Sequence, residues 1–447
     1  MPSSSEATVE ELLPFHPSWV LIAIFAVLIA LGTLILSLPF AVADSNKVSL
    51  VDAFFTATSA ATGTGLVVQD TAQFWSQRGH AVLLLLFQLG GLASLIGSTF
   101  FLLLIARSVK EEERFLFREI MGVQSVRGLI LLILGITLYA AIIETAGTLL
   151  IGSRLLASYP QDKAWWLAVF HTASAFNNAG FDSMGLGNPL PDPVVQLTLA
   201  GLSILGAISF IVIVDMVKGV FARRLSLDTK LVLIATVLLL GGGFGAILLT
   251  EWNSPGTLGN LPPDQKLLSA FLHSATARTA GLATANLSAF AYPTLLVLMA
   301  LMFIGGASGS TAGGIKVNTF ALLGAVTWSF IRGRTRISVL GSTVHEDQVY
   351  RALAIVFVST LVIFAAIILL SITEGADLLV QLFEAISAFS TTGFSIGDTA
   401  NSSTAGKLII AFVMFAGRVG PLTVAFALSL RSRPSRQTYT QEAINLG

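Results

Sequence analysis

One phrase recurs along the chain. Residues 55–66 read FTATSAATGTGL, residues 170–181 read FHTASAFNNAGF and residues 383–394 read FEAISAFSTTGF. Aligned on the glycine, a Phe, a Ser-Ala pair, the Gly and a final apolar residue stand in identical register. Residues 272–282, LHSATARTAGL, join that register with a one-residue gap before TAG. A unit repeated in this way restricts the fold to quasi-equivalent parts arranged about an axis.

What surrounds each copy is apolar. Hydrophobic residues make up 54% of the chain and charged ones only 11%, under half of what soluble domains carry, which indicates an integral membrane protein. A span of hydrocarbon needs roughly 20 apolar residues in a helix. Segments 18–38, 80–106, 128–151, 194–217, 231–249, 352–370 and 406–430 meet that length, and 292–331 exceeds it with an interruption. The stretches 50–61, 165–176, 267–278 and 378–389, which lead into the polar turns, are too short to cross. The expected fold is an all-α membrane protein of four helix–pore-loop–helix repeats, eight transmembrane spans in all, around a pseudo-fourfold central pore. Its units are 18–106, 128–217, 231–331 with an interrupted second span, and 352–430, followed by a tail at 431–447.

Lys and Arg set the orientation. Arg107, Lys110, Arg114, Arg118 and Arg127 lie between the first two units, and Lys218, Arg223, Arg224 and Lys230 between the next two. Arg332, Arg334, Arg336 and Arg351 follow, then Arg431, Arg433 and Arg436 in the tail. By the positive-inside rule these connectors and both termini are cytoplasmic, and the short helices enter from outside. Residues 1–17 hold no Lys or Arg and three Glu, so no cleavable signal is expected there. The chain has no Cys, which excludes disulfides and thiolate metal sites, and no basic aromatic-interleaved face that would suit nucleic acid.

Irregular backbone at membrane depth is tolerated where it is buried in protein or lines a water-filled cavity. Four such turns about one axis offer rings of backbone carbonyls that can replace the water shell of a cation. The helix C-termini entering from outside add negative potential at mid-membrane.

The four turns, FNNAGF, TARTAGL, the GGASGSTAGGIK stretch at 305–316 and GRVGPLT at 417–423 together resemble the Trk/Ktr/HKT superfamily of potassium transporters, most of all its bacterial KtrB-type membrane subunits. The resemblance runs over almost the full chain. It implies a potassium-binding filter at Thr62, Gly63, Thr64 and Gly65; Asn177, Asn178, Ala179 and Gly180; Thr279, Ala280 and Gly281; and Ser390, Thr391, Thr392 and Gly393. In plant relatives a serine at the first filter glycine accompanies sodium transport, so Gly65 argues for potassium. Gly63 departs from the family, where a bulkier apolar residue is commoner.

Five glycines within residues 305–314 make a continuous helix there costly, at about 1 kcal/mol each against alanine. The resemblance implies that this loop, Gly305, Gly306, Ala307, Ser308, Gly309, Ser310, Thr311, Ala312, Gly313 and Gly314, is a gate under the filter, contacted by Arg418. A mid-span charge such as Arg418 is a functional candidate by default, the alternative being a structural salt bridge to Glu144 or Asp215. Arg278 and Glu384 are expected to brace the filter from behind. His171 and His273 read as core histidines, and His345, Glu346 and Asp347 as a cytoplasmic charged turn.

The function expected is channel-like potassium uptake across the inner (plasma) membrane. The resemblance further implies a homodimer, a cytosolic KtrA-type nucleotide-binding ring as partner, sodium as a candidate activator and the tail at a partner or dimer surface. No Gly-x-Gly-x-x-Gly occurs, so the chain itself is expected to bind no organic cofactor. A sodium-coupled secondary cation transporter is the alternative, although inverted repeats would be expected there. An enzyme is not expected, because the spans offer no nucleophile with a base.

Overall fold

The computed structural model describes residues 17–43, 47–107, 126–185, 192–222, 224–333, 338–397 and 399–420. Most of the first basic connector, Arg223, Arg334, Arg336, the end of the expected last span and the tail lie outside these residues. The described structure is helical apart from a small antiparallel hairpin, Ser338–Val339 with Ser342–Thr343, which the sequence reading missed.

A long helix α1 (Pro17–Leu36) is followed by a short buried helix α2 (Leu50–Thr62) and a long helix α3 (Gln77–Arg107). The same succession continues with α4 (Val126–Leu155), α5 (Gln161–Phe176), α6 (Pro193–Ala207) and α7 (Phe210–Ala222). Then come α8 (Leu227–Glu251), α9 (Pro263–Thr276), α10 (Tyr292–Phe303) and α11 (Val317–Ile331). The last group is α12 (Glu346–Thr373), α13 (Leu378–Phe389) and α14 (Thr404–Val419). His345 caps α12, and Glu346 and Asp347 form its acidic first turn, so these residues begin a helix and do not make a separate turn.

Among the described residues five helices are long and apolar enough to cross a membrane, or six spans if one bent pair is counted as one. That pair is α6 and α7, whose axes differ by 93° where a continuous helix over 194–217 was expected. Ile208 is extended, with φ −85° and ψ 133°, and the Ser209 hydroxyl accepts from Ile211 N at 3.2 Å to restart the helix. The carbonyls freed at the break are taken by the loop between α10 and α11, as described below. Taken singly, α10 and α11 are shorter apolar helices.

Burial separates two classes of helix. Every residue of α2 from Phe55 to its end is buried, as are the last turns of α5 and α9 and the last three residues of α13. The long helices carry apolar side chains on their outer faces, Leu249 being 88% and Ile372 76% exposed, as befits surfaces solvated by lipid. In lipid, helices associate through close packing of small residues. A β-carbon built on Gly90, Gly206 or Gly417 would lie 1.9, 1.9 and 1.8 Å from the carbonyl oxygens of Ala61, Phe176 and Phe389. Those three carbonyls occupy one register position, directly after the repeated Ser-Ala pair. The helix that follows each turn therefore lies backbone-on-backbone against the end of the short one in three of the four groups.

Candidate functional site

The short helices end alike. In α2, Gly63 N donates to Ala60 O at 3.0 Å and Thr64 N to Ser59 O at 2.8 Å. The equivalents are Asn178 to Ala175 (3.1 Å) with Ala179 to Ser174 (2.7 Å), and Thr391 to Ala388 (3.1 Å) with Thr392 to Ser387 (2.9 Å). This is a Schellman ending, which requires one residue in the left-handed region. Gly63, Asn178 and Thr391 supply it, with φ of 59°, 51° and 48°. The departure at Gly63 thus sits where a residue without a β-carbon is the least strained choice.

The third short helix closes differently. Thr279, Ala280 and Gly281 all direct their N–H groups to Thr276 O, at 3.1, 2.8 and 3.0 Å, and Thr279 has φ 142°. This is the physical content of the one-residue gap in the repeat.

After these caps the four turns converge. Gly65, Gly180, Gly281 and Gly393 have φ of 84°, 70°, 61° and 94°. A β-carbon on Gly65 would stand 2.6 Å from Ala179 O, one on Gly180 2.8 Å from Ala280 O, and one on Gly281 2.1 Å from Thr392 O. On Gly393 it would stand 2.2 Å from Thr64 O. Each glycine therefore approaches the carbonyl preceding the next segment's glycine, and the fourth returns to the first. Thr62, Thr64, Asn177, Asn178, Ala179, Thr279, Ala280, Ser390, Thr391 and Thr392 are all fully buried around this ring.

In the first two turns the side chains of Thr62, Thr64, Asn177 and Asn178 are hydrogen-bonded within the protein. Thr62 Oγ1 bonds to Thr58 O and Thr64 Oγ1, both at 2.7 Å. Asn178 Oδ1 accepts from Ser203 Oγ at 2.9 Å, and its Nδ2 donates to Thr311 Oγ1 at 2.7 Å. The residues following the turns are braced too. Ser174 Oγ donates to Phe181 O at 2.9 Å and Ser387 Oγ accepts from Gly393 N at 3.1 Å. Glu384 accepts from Ser395 Oγ, Ile396 N, Gly397 N and Thr399 Oγ1, so it braces the chain beyond the turn through N–H and O–H groups. His171 lies 3.0 Å from Asp182 Oδ1 and 2.8 Å from Leu167 O, and His273 lies 2.7 Å from Ser269 O.

The glycine-rich loop joins α10 to α11. Ile304 and Ile315 form a parallel bridge at its neck, and Gly305 N donates to Ile315 O at 2.9 Å. Its tip docks on the α6–α7 break, Thr311 N donating to Gly206 O at 3.1 Å and Ala307 N to Ala207 O at 2.8 Å. Thr311 Oγ1 lies 2.9 Å from Gly206 O and 3.1 Å from Phe176 O. On the opposite side, a β-carbon on Gly313 would lie 2.1 Å from Thr391 Oγ1. The loop is thus wedged against the second and fourth turns.

Three basic side chains hold it. Arg418 Nη1 donates to Thr311 O, while its Nη2 lies under the first turn, 3.4 Å from where a β-carbon of Gly63 would stand. Arg278 Nη2 donates to Gly305 O at 3.1 Å, so the carbonyl it meets belongs to the loop. Lys316 Nζ donates to Ala312 O. Among the described residues neither alternative partner pairs with Arg418; Asp215 accepts from Ser226 and Glu144 from Gln88. The roles of Lys316, Ser203, Gln88 and the α6–α7 break escaped the sequence reading. Lys316 closes a motif that had been singled out, and its place at the loop's end was the available signal.

Comparison with known proteins bears on this arrangement. A family model described as TrkH, cation transport protein, matches residues 15–437. The Ktr system potassium uptake protein B of Vibrio alginolyticus is 38% identical over 97% of this chain and 95% of its own length. Its Bacillus subtilis namesake is 34% identical over 93% of each. The potassium/sodium uptake protein NtpJ of Enterococcus hirae is 33% identical over 96% of this chain and 97% of its own length. The crystal structure of the potassium transporter TrkH from Vibrio parahaemolyticus superposes with a TM-score of 0.74 at 19% identity, covering 94% of this chain and 86% of that one, which is a likeness of fold. With a matching family model across nearly its whole length and relatives above 30% identity, this chain belongs to the TrkH family of cation transport proteins.

Proposed function

We propose that this chain is the membrane subunit of a potassium uptake system, conducting K⁺ through a central pore. In this reading residues 18–106, 128–217, 231–331 and 352–430 are four pore units about a pseudo-fourfold axis, together supplying eight spans. The observation that carries it is the closed succession of glycine-to-carbonyl approaches among Gly65, Gly180, Gly281 and Gly393. Backbone segments so arranged would present carbonyl oxygens of 62–65, 177–180, 279–281 and 390–393 to a dehydrated cation. The ends of α2, α5, α9 and α13 would add their negative dipole ends at the inner mouth. The potassium uptake in the names of the relatives supports K⁺ as cargo and does not favour a sodium-coupled secondary transporter.

The loop 305–314, held by Arg418, is the gate of this pore. Its links to both the second and the fourth turn support that reading, because a loop so placed would lie across the path beneath the ring. The protein resides in the cell's inner membrane with both termini in the cytoplasm and works as a homodimer. A cytosolic KtrA-type nucleotide-binding ring controls it, as the "Ktr system" naming of its relatives suggests, and sodium acts as an activator.

The test is potassium uptake in a transport-deficient bacterium carrying the wild type or Gly65→Ser. A selectivity shifted toward sodium in the variant is expected. Unchanged preference for potassium over sodium in a protein present at normal levels would sink the filter assignment.

A further inference from the structure

Glu144 stands within the apolar span 130–155, and an ionisable side chain at such depth demands a reason. Among the described residues no cation supplies one: the ion pairs are His171 with Asp182 and Lys407 with Asp52, and neither involves Glu144. Its carboxyl instead receives Gln88 Nε2 at 2.9 Å on each oxygen. Asn177 Nδ2 lies 3.1 Å from Glu144 Oε1, 2.8 Å from Gln88 Oε1 and 2.9 Å from Ala173 O.

Asn177 is the first residue of the second turn, so three helices meet on one side chain of the proposed filter. From α3 comes Gln88, from α4 Glu144, and from α5 the carbonyl of Ala173. The space is shaped for this group, since a β-carbon on Gly91 would lie 2.0 Å from Asn177 Oδ1. The register-equivalent residues are tied differently. Thr62 bonds within its own turn, and Ser390 Oγ has no hydrogen-bond partner among the described residues. Among the described residues no carboxyl bonds the side chain of Thr62 or Ser390, as Glu144 does that of Asn177.

We propose that Glu144 is a positioning residue for the second turn of the filter. Through Gln88 and directly, it fixes the Asn177 side chain, and with it the start of the backbone run 177–180. The proposal rests on the filter reading above. Hydrogen bonds are short-ranged and directional, so the effect is local to this turn. It sets the affinity for potassium and the preference for potassium over sodium, whereas the amount of folded protein depends on it less.

The experiment compares wild type, Glu144→Gln, Gln88→Leu and the double variant, with Gly65→Ser as a parallel arm. Potassium and sodium uptake are measured against the amount of each protein in the membrane. Glu144→Gln keeps the shape and one acceptor oxygen but replaces the other with an NH2 that faces the amide donors of Gln88 and Asn177. Its apparent KM for potassium is expected to rise about tenfold, with a lowered potassium-to-sodium ratio and a maximal rate per molecule little changed. Gln88→Leu should act in the same direction, and the double variant should add little to the larger single effect, because both act through Asn177. Unaltered KM and ion ratio in both single variants would overturn the proposal, as would a fall in protein amount alone. If Gly65→Ser shifts selectivity while these variants do not, the filter reading stands and the role of Glu144 fails. If Gly65→Ser has no effect, the filter reading itself has failed.

Discussion

Asn178 donates from Nδ2 to Thr311 Oγ1 at 2.7 Å, tying the second polar turn to the tip of the glycine-rich loop across 133 residues of sequence. Asn178 also supplies the left-handed cap of α5, with φ 51°. One residue thus shapes the proposed filter and latches the proposed gate.

Replacing Thr311 by Val keeps the shape and removes the hydroxyl that meets Asn178, Gly206 and Phe176. At about 1 kcal/mol for each of the two hydrogen bonds the hydroxyl makes at once, one accepted and one donated, the loop's equilibrium should move toward release by roughly thirtyfold. Rubidium flux into proteoliposomes without any cytosolic partner should rise accordingly. A flux equal to wild type would show that this latch does not restrain the loop.

Gly281→Ala places a methyl group 2.1 Å from Thr392 O at a residue with φ 61°. Potassium transport should fall at least about tenfold, since backbone at both turns must shift. Gly241 offers the control, because nothing lies within 4 Å of a β-carbon there and it sits inside α8. Gly241→Ala should leave transport intact and raise stability by about 1 kcal/mol. Equal behaviour of the two variants in uptake and thermal unfolding would contradict the packed ring.

Arg418→Ala removes a buried guanidinium that donates to Thr311 O, leaving that carbonyl without its donor. Flux in the absence of cytosolic control is expected to increase, and Arg418→Gln, which retains an N–H donor, should lie between the two. Normal flux and normal regulation in Arg418→Ala would remove Arg418 from the gating mechanism.

Asn318 accepts from Ser308 N at 2.9 Å and donates to Asp228 Oδ1, connecting the loop to the start of α8. Asn318→Ala should speed amide hydrogen exchange of Ser308 by about fivefold, through the loss of a single bond. Exchange unchanged at Ser308 but altered elsewhere would show that this contact does not hold the loop.

The sequence by itself determined the membrane class, the four short-helix-plus-turn phrases and the interruption at 305–314. Each of these is local: hydrophobic run length, glycine cost and repeat register are properties of neighbouring residues. Even the gap before TAG had a local counterpart, the altered hydrogen bonding onto Thr276. Tertiary structure decided the rest. The 93° break between α6 and α7 lies in an apolar run with no proline, and its freed carbonyls are satisfied only because a loop a hundred residues away docks there. Likewise Glu144 was a plausible partner for Arg418 as a matter of charge, yet packing placed it against Gln88 and Asn177 and left Arg418 to a backbone carbonyl. Polar groups at membrane depth must find partners, and which partner each finds depends on helices that meet only after folding.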